Sequence, residues 1–197
     1  MISDNYINQL LESISVRDCE KSYKELFIAL HDKLYKFAYA ILKSAEDAEE
    51  VVSDLFINVW VKRKSLKPLN NPTLYLFIGA KNYAINRLKL NKRNILPQLD
   101  ELTTNLESIY FNPEELIIST ELSQRILAAI NELPPKCKII FKLVKEDGLK
   151  YNDVAQLLEI SSKTVESQMA IAFRRIRQCL EFKNEFPEIH SILTQKK

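Results

Sequence analysis

Glycine is almost missing: the 197-residue chain has two, Gly79 and Gly148. Glycine-rich phosphate loops and dinucleotide-binding turns need several residues without a Cβ, so those motifs are excluded. Cysteine is equally sparse. Cys19, Cys137 and Cys179 are odd in number, far apart and without a C-x-x-C pair, so neither a disulfide framework nor a zinc site is expected and a reducing cytoplasm fits. The two histidines, His31 and His190, are too distant in sequence to suggest a metal cluster. No apolar run is long enough to span a bilayer, and the opening MISDNYINQL lacks a basic stretch followed by an apolar one. Neither direct membrane insertion nor a secretory leader is therefore expected. A net charge of +2 is too small to argue for nucleic acid, so local clusters must carry that argument. No nucleophile–base pair stands out either. The expectation is a protein that is not an enzyme, with no cofactor, no metal and no small-molecule substrate.

What the chain has is helical periodicity. Cys19, Tyr23, Leu26, Phe27, Leu30, Leu34, Phe37, Ala38 and Ile41 recur at three- and four-residue steps, as one face of a long amphipathic helix does. Ala48, Val51, Val52, Leu55 and Val59 mark a second helix. Leu74, Phe77, Ile78, Ile85 and Leu88 mark a third, opened at Pro72-Thr73. With a short N-terminal helix, these stripes close one bundle over residues 1–92. The period then fails in KRNILPQLDELTTNLESIYFNPEE, whose prolines and polar residues read as a flexible linker over 93–115. A second bundle follows over 116–183, with a tail at 184–197. Its first stripe is Leu122, Ile126, Ala129, Ile130 and Leu133. Pro134-Pro135 separates the next, and Gly148 suits a helix C-terminus.

The second bundle ends in two short helices hinged at Ile160-Ser161-Ser162. Tyr151, Val154, Ala155 and Leu158 form the inner face of the first, and small Ala155 permits a close, steep crossing. Ser161 or Ser162 is placed to cap the second helix. This is a helix-turn-helix pattern, whose second helix enters the DNA major groove. Opposite its buried stripe of Val165, Met169, Ala172, Phe173 and Ile176, that helix collects Lys163, Ser167, Ala170, Arg174 and Gln178. Ser167 and Gln168 suit base edges, Ala170 and Ile171 suit thymine methyls, and Lys163, Arg174 and Arg177 suit phosphate or guanine. Glu159 occupies the turn position where glycine is common, at a cost of roughly 1–2 kcal/mol for a left-handed backbone.

Two further faces call for a partner. Opposite the stripe of the third helix lie Tyr75, Gly79, Asn82, Tyr83 and Asn86, followed by Arg87, Lys89, Lys92 and Arg93. Rings stack on unpaired bases, amides read their edges and cations hold the backbone, so this set suits single-stranded nucleic acid; packing of the tyrosines on the N-terminal helix is the alternative. Gly79 costs about 1 kcal/mol mid-helix unless something approaches the backbone closely. In EDAEEVVSDLFINVWVKRK, the outward face mixes Glu50, Asp54, Ile57 and Val61. That fits a basic, partly apolar protein groove, with a solvated acidic face as the alternative.

These segments resemble, in order and spacing, an RNA polymerase sigma factor of the extracytoplasmic-function group. DAEEVVSDLFINVW is similar to the core-binding helix of region 2, LYLFIGAKNYAINRLKLNKR to the segment that binds the −10 element, and LPPKCKIIFKLVKEDGLKYNDVAQLLEISSKTVESQMAIAFRRIRQ to region 4. The resemblance implies an all-α fold of two small bundles, regions 2 and 4, joined by a flexible linker. It implies a cytoplasmic protein that binds core polymerase at the β′ clamp helices and β flap, and an anti-sigma factor that competes for the same surfaces. It places Glu50, Asp54, Phe56, Ile57, Trp60 and Val61 at the polymerase. It places Tyr75, Asn82, Tyr83, Asn86, Arg87 and Lys89 at the single-stranded −10 element. The loop from Ser65 to Pro72, with Leu66, would capture a flipped base. Lys163, Thr164, Glu166, Ser167, Gln168, Ala170, Ile171 and Arg174 would face the duplex −35 element, and the acidic linker would thread toward the RNA exit path. Ser53-Asp54 stands where the family usually has Gln-Glu, Tyr75 where Trp is common, and Glu166 where Arg or Lys is frequent, so base preference does not carry over. SSKTVESQ is similar to sigma factors of the Bacteroidetes, which implies a membrane-anchored inhibitor. Two rival readings differ in what they leave unexplained. A self-sufficient helix-turn-helix regulator with a helical sensor domain does not use the Asn82–Tyr83 surface, and a protein-only adaptor does not use Arg174 or Arg177.

Overall fold

The computed structural model describes residues 3–66, 69–90 and 121–181; the expected linker at 93–115 and tail at 184–197 lie outside the described residues. Four helices make the first bundle: α1 (Asp4–Arg17), α2 (Glu20–Leu42), α3 (Ala45–Val61) and α4 (Pro72–Leu90), with a 3-10 turn at Arg63–Ser65. The second has α5 (Glu121–Asn131), α6 (Pro135–Lys145), α7 (Tyr151–Leu158) and α8 (Ser162–Glu181).

A chain so poor in glycine must end its helices by other means. Asp18, Lys43 and Glu159 take the left-handed conformation at φ 52°, 58° and 56°, each at a cost of roughly 1–2 kcal/mol. Neighbouring bonds hold these corners. The Lys43 N–H returns to Tyr39 O at 2.8 Å. The Asp18 carboxylate accepts from Arg63 Nε at 2.5 Å and Lys64 Nζ at 2.6 Å, which ties the α1–α2 corner to the 3-10 turn and holds the carboxyl below its usual range. Ser3 and Ser44 cap α1 and α3, accepting from Tyr6 N and Asp47 N, each at 3.2 Å. Gly148, at φ 82°, supplies the left-handed turn after α6, where Leu149 N reaches back to Leu143 O at 3.0 Å.

The core follows the predicted stripes of α2 and α3. Leu26, Leu30, Leu34, Phe37, Ala38 and Ile41 are buried with Ala48, Val51, Val52, Leu55 and Val59, and α1 adds Ile7, Leu10, Leu11 and Ile14. The stripe on α4 differs from the expected one. Leu74, Leu76, Phe77, Ala80, Ala84 and Leu88 are buried, whereas Ile78 and Ile85 are only partly so. Ala80 and Ala84, at a four-residue step, lie on the inner face of a helix that packs on both α2 and α3. In the second bundle, α5, α6 and α7 all pack on α8. Val165, Met169, Ala172 and Ile176 are buried as predicted, while Phe173 is half-buried and edge-on to Phe141 at 6.0 Å. Cys137 is fully buried and donates to Gln168 O at 3.1 Å; burial pushes its thiol up to about 11, so it packs rather than reacts. The bundles also touch, α4 packing on α7.

Candidate nucleic-acid and polymerase interfaces

The helix-turn-helix is built locally. Asp153 closes the start of α7 by accepting from Lys150 N at 3.2 Å; the Lys150 ammonium has no acceptor and returns nothing. After α7, Glu159 turns left-handed and Ile160 N bonds to Ala155 O at 3.0 Å. Ser161 then caps α8, its Oγ accepting from Thr164 N at 3.0 Å, and Ser162 Oγ donates to Asn152 Oδ1 at 2.7 Å. Two helices are thereby fixed around a short turn, with the outer face of α8 open.

That face presents Lys163, Glu166, Ser167, Ala170 and Arg174 exposed, with Gln168 and Ile171 half-buried beside them. Ser167 Oγ donates to Lys163 O at 2.9 Å, which leaves its lone pairs outward as acceptors. Thr164 Oγ1 lies 2.8 Å from Ser161 Oγ, so its hydroxyl serves the cap as well as the surface. Arg175, which sequence reasoning did not single out, reaches back to Glu132 O at 3.3 Å and ties α8 to the end of α5.

On α4, Asn82, Asn86 and Lys89 are exposed, Tyr75 is 42% exposed, and Tyr83 is half-buried. Burial, then the Asp54 carboxylate and the neighbouring Tyr75, raise the Tyr83 phenol, so it remains a neutral ring with a donor. Leu66 is half-buried in the loop before α4. Two residues behave differently from the sequence reading. Gly79 does not lie on the free face: a Cβ there would sit 2.7 Å from Leu55 Cδ1, so the close approach is from α3. Arg87 is paired with Glu50 and lies 4.0 Å from Asp47, so acids of α3 hold the guanidinium that was expected on phosphate.

On α3, Glu50 and Asp54 are exposed, and Ile57 and Val61 are 57% and 67% exposed. Trp60 is half-buried, with the Arg63 guanidinium 4.3 Å above its ring and Tyr23 at 5.0 Å. Phe56, which the resemblance places at the polymerase, is 1% exposed in the free chain and packs on Phe27 at 4.8 Å, beneath the surface. Its stripe faces α2, where Tyr23, Phe27, His31, Tyr35 and Tyr39 form a half-buried ladder at four-residue spacing. His31 Nε2 lies 3.1 Å from Glu49 Oε1. The spacing was legible in the sequence, but Tyr23 and Phe27 read as core and the ladder went unremarked. Among the described residues no group of His, Cys, Asp or Glu is arranged to hold a metal, and no helix is long and apolar enough to cross a membrane.

Among the described residues, which are helical, a helix-turn-helix on one bundle and a strip of amides, rings and cations on the other suit a class of protein, the DNA-binding transcription factors. Residues 26–94 match the Sigma-70 region 2 family and residues 123–176 match Sigma-70, region 4. The chain belongs to the sigma-70 family and is an alternative sigma factor of the extracytoplasmic-function type, a transcription-initiation factor rather than an enzyme in the usual sense. Sigma-70 proteins of this kind bind core RNA polymerase and promoter DNA. The chain is 24% identical over 157 residues to the ECF RNA polymerase sigma factor SigW of Bacillus subtilis, covering 76% of this chain and 84% of that one. It is 28% identical over 167 residues to the ferric citrate uptake sigma factor FecI of Escherichia coli, covering 84% and 92%. A solved complex of the sigma factor RpoE with the anti-sigma factor NepR from Bartonella quintana aligns with 82% of this chain and 98% of that one, at 20% identity and a TM-score of 0.49.

Proposed function

We propose that the two bundles, at 1–92 and 116–183, divide promoter recognition between them. The outer face of α8 reads the duplex −35 element through Lys163, Ser167, Gln168, Ala170, Ile171 and Arg174. The outer face of α4 holds the opened −10 strand, with Tyr75 and Tyr83 offering rings, Asn82 and Asn86 reading edges, and Lys89 meeting phosphate. Leu66 sits in the loop that receives an extruded base. The acid-and-apolar face of α3 docks on the β′ clamp helices through Glu50, Asp54, Ile57, Val61 and the rim of Trp60, while region 4 meets the β flap. An anti-sigma factor covers these faces and removes the free protein by mass action. Its membrane anchoring rests only on the likeness of SSKTVESQ to Bacteroidetes sequences.

The observation that carries this reading is the exposure of Asn82 and Asn86 beside half-buried Tyr83 on the outer side of α4. Run-off transcription on a promoter library tests it. Added to core polymerase of a related genus, the protein gives new start sites, and Asn82→Ala and Ser167→Ala each lower their yield about tenfold or more. Tight operator binding without polymerase and no new start sites is the outcome expected of a self-sufficient regulator instead.

A further inference from the structure

The outer face of α8 carries one carboxylate among its cations. Glu166 and Ser167 are exposed side by side in the second turn of the helix, between Lys163 and Arg174, which are exposed as well. Among the described residues the Glu166 side chain makes no hydrogen bond or ion pair. Burial, then the Glu166 charge, raises the Tyr151 phenol at the start of α7, so that ring is a neutral neighbour and not a counter-ion. A carboxylate supports a helix through the free N–H groups of its first turn, and Glu166 lies beyond that turn, so α8 gains little from it. On a face that meets a polyanion, a negative charge costs affinity unless it accepts from a donor there. Ser167 has the same polarity. Its hydroxyl proton goes to Lys163 O at 2.9 Å, so outward it offers only lone pairs.

Two adjacent side chains in the N-terminal part of the helix, the part that reaches base edges, thus present acceptors and no donors. The major groove sorts bases by that polarity. Guanine shows N7 and O6, and thymine O4, all acceptors that repel a carboxylate. Adenine shows its N6 amine beside N7, so a carboxylate oxygen placed on the amine also meets the N7 lone pair. Cytosine shows the N4 amine with no acceptor beside it. Resting on the −35 reading of α8 above, we infer that Glu166 is a specificity residue that accepts from a cytosine N4 amine. The −35 element then carries a C·G pair in one fixed orientation opposite the second turn of α8, and Ser167 takes an amine at a neighbouring pair. Lys163, one turn back, and Arg174, two turns on, offset the carboxylate's charge at the flanking phosphates.

Selection from promoters randomised across the −35 element, with the full chain on core polymerase of a related genus, reads the preference as base frequency at each position. The parent enriches cytosine at one pair, about fivefold or more over guanine. Glu166→Ala flattens that pair alone. Glu166→Gln moves its preference to adenine, because the amide accepts from N6 and donates to N7. Ser167→Ala flattens a neighbouring pair and leaves the cytosine in place. Any base other than cytosine at the pair that Glu166→Ala flattens would overturn the assignment. So would a Glu166→Ala protein that retains every template more tightly with an unchanged base profile, since the carboxylate would then only repel the duplex. A parent that selects a −35 sequence indifferent to Glu166 overturns the assignment and leaves the promoter reading standing. A parent that selects no −35 sequence overturns both.

Discussion

Gly79 and Leu55 mark where α4 meets α3: a Cβ added to the glycine would lie 2.7 Å from Leu55 Cδ1. The obstructing atom is the end of a flexible side chain. Gly79→Ala should therefore stay within about 1 kcal/mol of the parent, overpacking offsetting the gain in helix propensity. Gly79→Leu cannot be absorbed and should lose about 1–3 kcal/mol in urea unfolding. A Gly79→Ala protein that unfolds several kcal/mol earlier would contradict this packing.

That contact shows what a linear pattern leaves out. Periodicity placed most of the inner faces of α2, α3 and α8, with Cys19, Tyr23, Phe27 and Phe173 only half-buried, and the turn at Glu159 and a serine cap at 161 or 162 were legible because both follow from backbone chemistry within a few residues. On α4 the large residues misled: Ile78 and Ile85 drew the stripe to one side, while Ala80 and Ala84 are the fully buried positions. Sequence spacing orders the faces of a helix but does not say which neighbour lies against each. For that reason Arg87 read as a phosphate contact although Glu50 holds it, and the resemblance placed Phe56 at the polymerase although it packs on Phe27. The contacts between the bundles, Lys81 to Leu157 O, Asn71 to Asp153 and Lys33 to Glu146 O, join residues 76 to 113 positions apart and carried no local signal.

The Glu50–Arg87 pair is partly exposed and screened, so Glu50→Gln should change unfolding stability by less than about 1 kcal/mol. Its effect on polymerase binding should be larger, because the same carboxylate lies on the face proposed to dock on polymerase. Equal losses in unfolding and in a core-binding titration would assign Glu50 to structure alone.

Glu159 adopts φ 56° and ψ 41°. Glu159→Gly should be tolerated in thermal unfolding or gain up to about 1 kcal/mol, since relief of the backbone competes with a freer unfolded chain. Glu159→Val, branched at Cβ, should lose more than about 1 kcal/mol. A valine variant as stable as the parent would mean that the turn is not left-handed in solution.

Asp147 is 7% exposed, and desolvation pushes its carboxyl up to about 7 against the pull of Lys33. The folded chain thus holds this proton more tightly than the unfolded one, whose carboxyl titrates near 3.9. The group's contribution is complete below about pH 4 and is lost as pH rises through 7. Unfolding free energy should fall between pH 5 and pH 8, by an amount on the order of 1–4 kcal/mol. Asp147→Asn should fall less over the same interval. A parent that becomes more stable toward pH 8, with the asparagine variant unchanged, would contradict the assignment.

Footprinting of one promoter complex tests the division of labour most directly. Polymerase carrying the parent protein should protect the −35 duplex from nuclease and expose −10 thymines to permanganate. Ser167→Ala should weaken the first signal, and Asn82→Ala with Tyr83→Ala should abolish the second while −35 protection persists. Permanganate reactivity at −10 that survives the Asn82 and Tyr83 substitutions would show that the opened strand is held elsewhere.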